Sequence, residues 1–426
     1  MEPVDRGDAL LVLGAGPTGL AMAKALGEAE IPYVQAEATH DVGGNWAHGV
    51  YETAHIISSR KTTEYADFPM PADYPDFPSG RQMHAYLRAY AEHFRLHEHI
   101  RFGAEVAHVA PTPEGRWTVR FRDGGIERYR GVVVCNGHHW AKVYPAWTRA
   151  FAGEVLHSKD YKRPDQLRGK RVLVVGGGNS GCDLAAEAAR VSTVADWSLR
   201  RGYWFLPKTA FGKPTVELMK PWLPVGAQKV LIRGVVRVVV GKYADYGLPE
   251  PDHDIFEAHP SISTEVLHAL KHGDLHPRPD VASVEGRTVT FVDGARATYD
   301  LVALGTGYDV SFPFLEAGTV PVVGKVPQLY AGMVRPEHRD LWVMGGFQAR
   351  YGIGPLLRPL ALLLADWVRL QEALTIPLGE LLRRVGEKPP TTHLVDPHAA
   401  IRRMALGRKM VPFLRWRAGR MGVLRG

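Results

Sequence analysis

The sequence predicts an α/β protein with two Rossmann-like units, and two glycine-rich turns carry this prediction. The first turn, Gly14-Ala15-Gly16-Pro17-Thr18-Gly19, follows the apolar segment 9–13. The second turn, Gly176-Gly177-Gly178-Asn179-Ser180-Gly181, follows the apolar segment 171–175. Each turn leads into an alanine-rich helix, so the helix N-terminus is placed to face a pyrophosphate. One such turn is weak evidence, but two in one chain predict two dinucleotides and electron transfer between them.

The residues after the first turn favour FAD or NAD at that site. Gly14, Gly16 and Gly19 are expected to allow the tight turn, the approach of the pyrophosphate and the packing of helix on strand. Glu37 ends the predicted strand 33–37, where a carboxylate accepts hydrogen bonds from a ribose. The same carboxylate would repel a 2′-phosphate.

The residues after the second turn favour NADPH. The predicted strand 194–199 ends in Arg200 and Arg201, and arginine is the side chain that binds a phosphate in a bidentate manner. The alternative is that both arginines are merely solvated at the end of a strand. The candidate nucleotide-binding residues of this turn are Gly176, Gly178, Asn179, Ser180 and Gly181.

The segment between the turns carries a more specific resemblance. Residues 151–161 fit the pattern FxGxxxHxxx(Y/F), the second turn reads GxGNSG, 42–46 reads VGGNW and 303–308 reads ALGTGY. In their order along the chain these motifs resemble those of the flavin-containing monooxygenases, a family of class B flavoprotein monooxygenases. The resemblance implies FAD and NADPH as cofactors. It adds further candidate cofactor-binding residues, which are Gly44, Trp46, Val106, Thr306 and Gln348.

Two positions separate this chain from branches of that family. Tyr161 stands where the Baeyer–Villiger branch has Trp, which favours the heteroatom-oxidising and plant auxin-type branches. Ile57 stands where animal-type members have an Asn near the flavin. Ser58 is the nearest polar group and is the one weak catalytic candidate.

The implied reaction leaves little acid–base chemistry to the protein. In the family NADPH reduces the flavin, O2 adds to give a C4a-hydroperoxide, and one oxygen atom passes to a small organic substrate, here expected to react at a soft N or S centre. The alternatives are oxidation of a carbonyl substrate, as in Baeyer–Villiger or auxin-type relatives, and uncoupled NADPH oxidation. A flavin-bound redox sensor or interaction protein is the alternative from another class.

The motifs predict an NADPH-binding domain inserted into a discontinuous FAD-binding domain. The expected segments are 1–155 and 295–426 for FAD and 156–294 for NADPH, with an insertion at about 205–279. We expect this insertion to cover the active site, to line the substrate entrance or to pack on a second subunit of a homodimer.

Composition excludes several other classes of protein. The chain has 426 residues, 45% hydrophobic and 23% charged, as in a globular enzyme. No signal peptide or long uncharged apolar run is evident, so we expect a cytoplasmic protein. Its two cysteines, Cys135 and Cys182, lie far apart, unlike the redox pair of a disulfide reductase. The nineteen histidines show no metal-binding spacing, and no nucleic-acid motif accompanies the net charge of +7.

The C-terminal segment 397–426 is basic and amphipathic. It contains no Asp or Glu and eight Lys or Arg residues, interleaved with apolar ones. Such a segment predicts either peripheral contact with an anionic membrane or a partner, or an ordinary surface helix docked on the protein itself.

Overall fold

The computed structural model describes residues 2–220 and 222–425 and contains two parallel five-stranded sheets. In spatial order the first sheet consists of Leu341–Val343, Gly131–Val134, Leu10–Leu13, Tyr33–Ala36 and Ile100–Arg101. In spatial order the second sheet consists of Glu154–His157, Leu301–Leu304, Arg171–Val175, Val194–Ser198 and His276–Arg278. In each sheet the strand before a glycine-rich turn is central, so both turns lie where the strand order reverses.

Smaller sheets flank the two parallel ones. A four-stranded sheet contains Val4–Asp5, Ile126–Tyr129, Trp117–Phe121 and Val106–Pro111. A three-stranded sheet contains Val281–Glu285, Thr288–Phe291 and Arg296–Thr298. Two-stranded pairs join Phe205–Leu206 to Ser261–Ile262, Thr209–Ala210 to Lys213–Pro214, Ala141–Lys142 to Tyr308–Asp309, Val322–Val323 to Val326–Pro327, and Gln348–Ala349 to Leu394–Val395.

The helices fill the faces of the sheets and the space around them. They are α1 (Pro17–Glu28), α2 (Asn45–His48), α3 (Arg60–Thr63), α4 (Gly80–His93), α5 (Asn179–Val191), α6 (Val225–Val239), α7 (Glu265–His272), α8 (Gly354–Glu372), α9 (Leu378–Arg384), α10 (Pro397–Lys409) and α11 (Val411–Arg420). Short 3-10 turns occupy Leu96–His99, Ala146–Ala150, Pro164–Gln166, Thr215–Leu218 and Tyr243–Tyr246.

The central strands are continuous apolar runs because both faces of each parallel sheet are covered, one by helices and the other by one of the smaller sheets. Leu10–Leu13 is buried at every position, and Arg171–Val175 is buried at all but its first. The predicted helix after the first turn is confirmed, although it begins at Pro17 rather than Gly19. Proline is favoured at this place, since the first helical N–H has no partner within the helix.

Strand pairing moves the expected domain boundaries at 155 and 295. Glu154–His157 pairs with Leu301–Leu304, and Leu301–Leu304 also pairs with Arg171–Val175. Both segments therefore belong to the second sheet, and the chain returns to the first domain only after Leu304. An apolar run shows that a strand is buried but not which sheet it joins, so the sequence pattern placed Leu301–Leu304 in the wrong domain.

The insertion at 205–279 bridges the second domain to the first. It contains the helix α6. The Tyr351 hydroxyl donates to Gln228 Oε1 at 2.7 Å, and His398 Nε2 lies 3.1 Å from the Met219 carbonyl oxygen. These contacts hold the insertion against the first domain.

The basic C-terminal segment docks on the body of the protein. Met404 of α10 and Leu414 and Ala418 of α11 are buried. Arg408 pairs with Asp366 of α8 at 2.6 Å. Phe413 and Trp416 stay exposed on the outer face, so membrane contact through this face stays a prediction.

Two searches of the described residues gave negative results. Among residues 2–220 and 222–425, no helix combines the length and hydropathy that crossing a bilayer requires. The same residues hold no group of three or more His, Cys, Asp or Glu side chains placed to bind a metal ion.

Glu127 joins the four-stranded sheet to the edge of the first parallel sheet. Its side chain, which is 7% exposed, accepts hydrogen bonds from Arg6 at 2.7 Å and Arg101 at 2.8 Å, and from the Tyr129 hydroxyl. Burial alone would raise the pKa of Glu127, but the hydrogen bonds from Arg6 and Tyr129 and the charge of Arg101 lower it to about 2.

We predict that Glu127→Gln destabilises the protein at neutral pH but not in acid. The loss should be about 1–2 kcal/mol, because charge-assisted hydrogen bonds are lost and both arginines are partly screened by solvent. Since the folded-state pKa of Glu127 is depressed, its contribution exists above the unfolded pKa and disappears as pH falls through the folded value. Urea unfolding should be measured for both proteins from pH 7 down to pH about 3. The difference between their free energies of unfolding should become smaller as the pH falls. A constant gap would contradict this assignment.

Candidate functional site

The first glycine-rich turn is held by contacts that exclude side chains. Gly14 has a φ of +100°, and a Cβ there would lie 2.8 Å from the Cys135 carbonyl oxygen. A Cβ at Gly19 would lie 1.9 Å from the Gly14 carbonyl oxygen. Gly16 is the N-cap residue of α1 and offers no side chain to the amide groups of the first helical turn. The N-terminus of α1 is thus open to an anion.

Glu37 is placed beside this turn. It is 6% exposed, and its carboxylate accepts hydrogen bonds from the Ala15 amide at 2.7 Å and from the Thr39 amide at 2.9 Å. The Thr39 hydroxyl also donates to Glu37 Oε1 at 2.8 Å. Two carboxylate oxygens offer about four acceptor sites, so Oε2 keeps capacity for a ribose hydroxyl. The Ala104 amide donates to the Glu37 carbonyl, which places the strand beginning at Val106 near the same end of the site.

The loop at Gly43 and Gly44 closes over the first turn. The Gly43 amide donates to the Ala15 carbonyl at 2.9 Å, and a Cβ at Gly44 would lie 3.0 Å from Gly16 Cα. Trp46 of α2 is half-buried against the first-domain core. On another side Gly345 approaches Thr18 of α1, where its Cβ would lie 3.2 Å from the Thr18 hydroxyl oxygen.

Gln348 lies three residues beyond Gly345, in the short strand Gln348–Ala349. The backbone amide of Gln348 donates to the His393 carbonyl oxygen at 2.7 Å. The backbone there is fixed by this pairing, and the Gly345 to Gln348 segment stays at the edge of the first site.

The second turn repeats the geometry of the first. Gly176 has a φ of +110°, and a Cβ there would lie 2.5 Å from the Gly305 carbonyl oxygen. A Cβ at Gly181 would lie 2.1 Å from the Gly176 carbonyl oxygen. Gly178 is the N-cap of α5 without a capping side chain, and nothing lies within 4 Å of where its Cβ would be. The space in front of α5 is therefore open.

The polar residues of the second turn are partly engaged by neighbouring segments. Asn179 Oδ1 accepts from the Ile262 amide of the insertion at 2.7 Å. Ser180 lies against the Tyr51 hydroxyl of the first domain. The Thr306 hydroxyl donates to the Val143 carbonyl at 2.6 Å, so it ties one interdomain segment to the other.

Arg201 fits a phosphate better than Arg200 does. Arg200 is exposed, whereas Arg201 is half-buried with its guanidinium 5.3 Å from the centre of the Tyr203 ring. Arg201 Nε is buried and, within the described residues, has no hydrogen-bond acceptor. A buried guanidinium nitrogen without an acceptor is costly, and a phosphate oxygen would satisfy it.

Residues 151–161, here called the fingerprint segment, run along the junction of the domains. His157 is fully buried between the rings of Tyr144 and Tyr308. The Lys159 amide donates to His157 Nδ1 at 3.1 Å, and Nε2 lies 3.2 Å from the Gly307 carbonyl. These partners select the tautomer protonated on Nε2, and burial lowers the pKa of His157. His157 therefore packs at the junction of the domains.

Three further histidines and a lysine surround the space between the domains. His138 faces the Gly345 carbonyl, and His259 of the insertion faces the Ala349 carbonyl. Burial lowers the pKa of both rings. His139 is exposed, and the surrounding protein and the nearby His138 lower its pKa. All three imidazoles are therefore neutral at neutral pH.

Lys159 is 9% exposed and connects the fingerprint to the glycine loop of the first domain. Its ammonium donates to Asn45 Oδ1 at 2.7 Å and lies 3.4 Å from the centre of the Trp140 ring. Burial and the charges of Lys162 and Lys142 lower the pKa of Lys159 to about 8.

Ile57 and Ser58 lie at the domain contact. Ile57 packs against the core of the second domain, together with Tyr51 and Tyr351. The Ser58 hydroxyl is hydrogen-bonded to Thr63 Oγ1 at 2.7 Å, within its own segment. The apolar residue at 57 thus supports interdomain packing.

Sequence reasoning missed Asp183 and Glu187 of α5, which contact the first domain. Their spacing of four residues on a helix that begins at a nucleotide turn was the available signal. It also left Lys159 without a role, although this residue lies inside the fingerprint. Cys135 and Cys182 are both buried, and burial raises the pKa of each thiol, in keeping with core roles.

Comparison with known proteins identifies the family. Residues 8–359 match the family described as FMO-like, flavin-binding monooxygenase-like. The chain belongs to this family. It is 31% identical to flavin-containing monooxygenase 5 of Oryctolagus cuniculus over 395 residues, covering 85% of this chain and 73% of the rabbit protein. It is also 31% identical to the probable indole-3-pyruvate monooxygenase YUCCA9 of Arabidopsis thaliana, covering 71% of this chain and 75% of that protein.

The fold agrees with that of solved relatives. A flavin-containing monooxygenase from Stenotrophomonas maltophilia superimposes with a TM-score of 0.64 at 23% identity, covering 86% of this chain and 99% of the bacterial one. The predicted arrangement of an NADPH domain inserted into a discontinuous FAD domain is confirmed. The protein is an NADPH-dependent flavin monooxygenase that uses FAD and NADPH.

The residues present fit both cofactors. Each domain offers a helix N-terminus without a capping side chain, at a turn whose first and last glycines leave no room for a side chain. Glu37 would supply a ribose acceptor in the first domain, and Arg201 would supply a buried donor in the second. We therefore assign FAD to the first turn and NADPH to the second as a proposal developed below.

We predict that Gly16→Val folds but loses FAD. The added methyl groups would enter the gap between Gly16 and Gly44, and overpacking of this kind costs about 1–3 kcal/mol, or roughly ten- to a hundredfold in affinity. FAD per purified chain, measured by absorbance after gel filtration, should fall accordingly. Gly27→Val on the same helix is the matched control, because nothing lies within 4 Å of its Cβ. A soluble Gly16→Val protein with one FAD per chain would contradict the assignment.

Proposed function

We propose that this enzyme oxygenates a small organic substrate at a soft nitrogen or sulfur centre, with FAD held at the Gly14 to Gly19 turn and NADPH at the Gly176 to Gly181 turn. The observation that carries the proposal is the pair of matching helix N-termini, each without a capping side chain, in domains joined by the hydrogen bond from Tyr51 to Asp183. When bound, the two cofactors supply the hydride and the activated oxygen.

The side chains between the domains suit chemistry of this kind. His138, His139 and His259 are neutral, so they offer hydrogen bonds without placing charge near the reacting centre. The insertion adds apolar cover, and a small closed pocket lies between Ile232, Phe256 and Tyr351. Exclusion of water and hydrogen bonding are the contributions expected of the protein here.

Two features favour a heteroatom over a carbonyl carbon. Tyr161 occupies the position that carries Trp in the Baeyer–Villiger branch, and its hydroxyl is used in a buried hydrogen bond to Glu187. A relative that is 30% identical is named dimethylaniline monooxygenase, N-oxide-forming. Carbonyl oxidation is the second candidate, since YUCCA9 is named for a 2-oxo acid substrate.

We expect methyl phenyl sulfide and N,N-dimethylaniline to be converted to the sulfoxide and the N-oxide. In the balanced reaction NADPH, H⁺, O2 and the substrate give NADP⁺, water and the oxygenated product. Product, NADPH and H2O2 should be measured together, with cyclohexanone as the carbonyl probe. Lactone without sulfoxide or N-oxide would support the carbonyl alternative. H2O2 equal to the NADPH consumed, with every probe, would support the uncoupled oxidase.

We predict that Arg201→Ala weakens the use of NADPH more than Arg200→Ala does. Loss of one charge-assisted phosphate contact should cost about 1.5–3 kcal/mol, or roughly ten- to a hundredfold in KM. NADH should be unaffected, because it lacks the 2′-phosphate. Arg296→Ala, an exposed arginine of the three-stranded sheet, is the control. Equal efficiency of NADH and NADPH in the wild type would overturn this prediction.

A further inference from the structure

A buried polar cluster joins the two domains beside the second turn. Asp183 and Glu187 are four residues apart on α5 and face the first-domain segment 51–57. The Tyr51 hydroxyl donates to Asp183 Oδ2, and the Thr53 hydroxyl donates to Glu187 Oε1. The Tyr161 hydroxyl donates to the other carboxylate oxygen of Glu187.

Three parts of the chain therefore meet at one carboxylate. Thr53 belongs to the first domain, Tyr161 ends the fingerprint and Glu187 lies on the nucleotide-binding helix. Tyr161 is fully buried and Glu187 is 6% exposed. The rings of Tyr51 and Tyr161 are in contact, with centroids 5.5 Å apart, so the two hydrogen-bonded pairs form one cluster.

Stability does not explain this arrangement. In the described part of the chain neither Asp183 nor Glu187 forms a salt bridge, and Arg190, Lys208, His55 and Glu265 act on them only from a distance. Burial raises the pKa of both carboxyl groups. A buried carboxylate held by hydroxyl groups alone is expensive compared with an apolar side chain of similar size.

The cluster is attached to both sites. Asn179 and Ser180, which precede Asp183 on the same helix, form the end of the second turn. On the other side the segment 51–57 is anchored in the first domain. The Gly80 amide donates to the Ala54 carbonyl oxygen at 2.8 Å, and the Ile56 amide donates to the Pro78 carbonyl oxygen at 3.0 Å. A shift of Glu187 against Thr53 would therefore shift one dinucleotide turn against the other.

We propose that Glu187 is a positioning residue for hydride transfer: through Thr53 and Tyr161 it fixes the NADPH-binding helix at the distance and orientation to the FAD domain that the reaction needs. The proposal rests on the assignment of NADPH to the second turn. In this proposal Tyr161 of the fingerprint segment has a specific role, because its hydrogen bond to Glu187 helps to fix the position of one domain against the other.

The test compares Glu187→Gln, Thr53→Val and Tyr161→Phe holoenzymes with the wild type. Each protein is mixed anaerobically with NADPH, and flavin reduction is followed by absorbance. We expect the limiting rate constant to fall about ten- to a hundredfold, because small misplacements of reacting groups have effects of this size, while the Kd for NADPH changes less than about threefold. The double variant Thr53→Val/Glu187→Gln should be no slower than Glu187→Gln alone, since the two residues act through one contact.

Two measurements separate positioning from a general loss of structure. The melting temperature of Glu187→Gln should be unchanged or higher, because removal of a buried charge is not costly. Amide hydrogen exchange should rise in segment 51–57 and not across α5 as a whole. Glu154→Gln, which removes an exposed intradomain contact to Lys170 at 2.6 Å, is the matched control and should behave as the wild type.

Flavin reduction at the wild-type rate in all three variants would overturn the proposal. So would a rise in the NADPH Kd that matches the loss in rate, or a lower melting temperature with exchange raised throughout α5. Failure of the proposed NADPH site would be seen separately, as a wild-type enzyme that NADPH does not reduce or as an Arg201→Ala variant with unchanged affinity.

Discussion

Both cofactor sites depend on the same steric constraint, which is the contact between a helix and the turn that precedes it. A Cβ at Gly19 would lie 1.9 Å from the Gly14 carbonyl oxygen, and one at Gly181 would lie 2.1 Å from that of Gly176. Only because these positions lack side chains do α1 and α5 start directly at the carboxyl ends of the central strands. The remaining features, from the buried Glu37 to the contacts of the insertion, are arranged around two helix N-termini fixed in this way.

Between the domains burial shifts the pKa of several titratable groups towards their neutral forms. Burial keeps His138 and His259 neutral and lowers the pKa of Lys159 to about 8, while Asp183 and Glu187 are held by hydroxyl groups rather than by cations. Charged groups in such a space would attract water and stabilise it there. A site that must stay dry while oxygen is activated is better served by neutral hydrogen-bond donors and acceptors. The cost in stability of the buried carboxylates is consistent with a functional reason for keeping them.

Local patterns predicted the fold and the turns, because a strand, a glycine turn and a helix are determined by neighbouring residues. They failed where the outcome depends on distant ones. The sequence of Leu301–Leu304 predicts a buried strand that could belong to either domain. Only its pairing with Arg171–Val175 shows that it belongs to the second. Glu187 reads as an ordinary surface residue of α5 until Thr53 and Tyr161 are brought against it. The substrate is not specified by any motif of the sequence.

The insertion is bound to the second turn itself and not only to the outside of the domain. The Ile262 amide donates to Asn179 Oδ1 at 2.7 Å, and the Ser261 hydroxyl donates to the Gly177 carbonyl. The same insertion reaches the first domain through Gln228 and Tyr351. The insertion therefore contacts the second turn and the first domain at once, and its position relative to each depends on these hydrogen bonds.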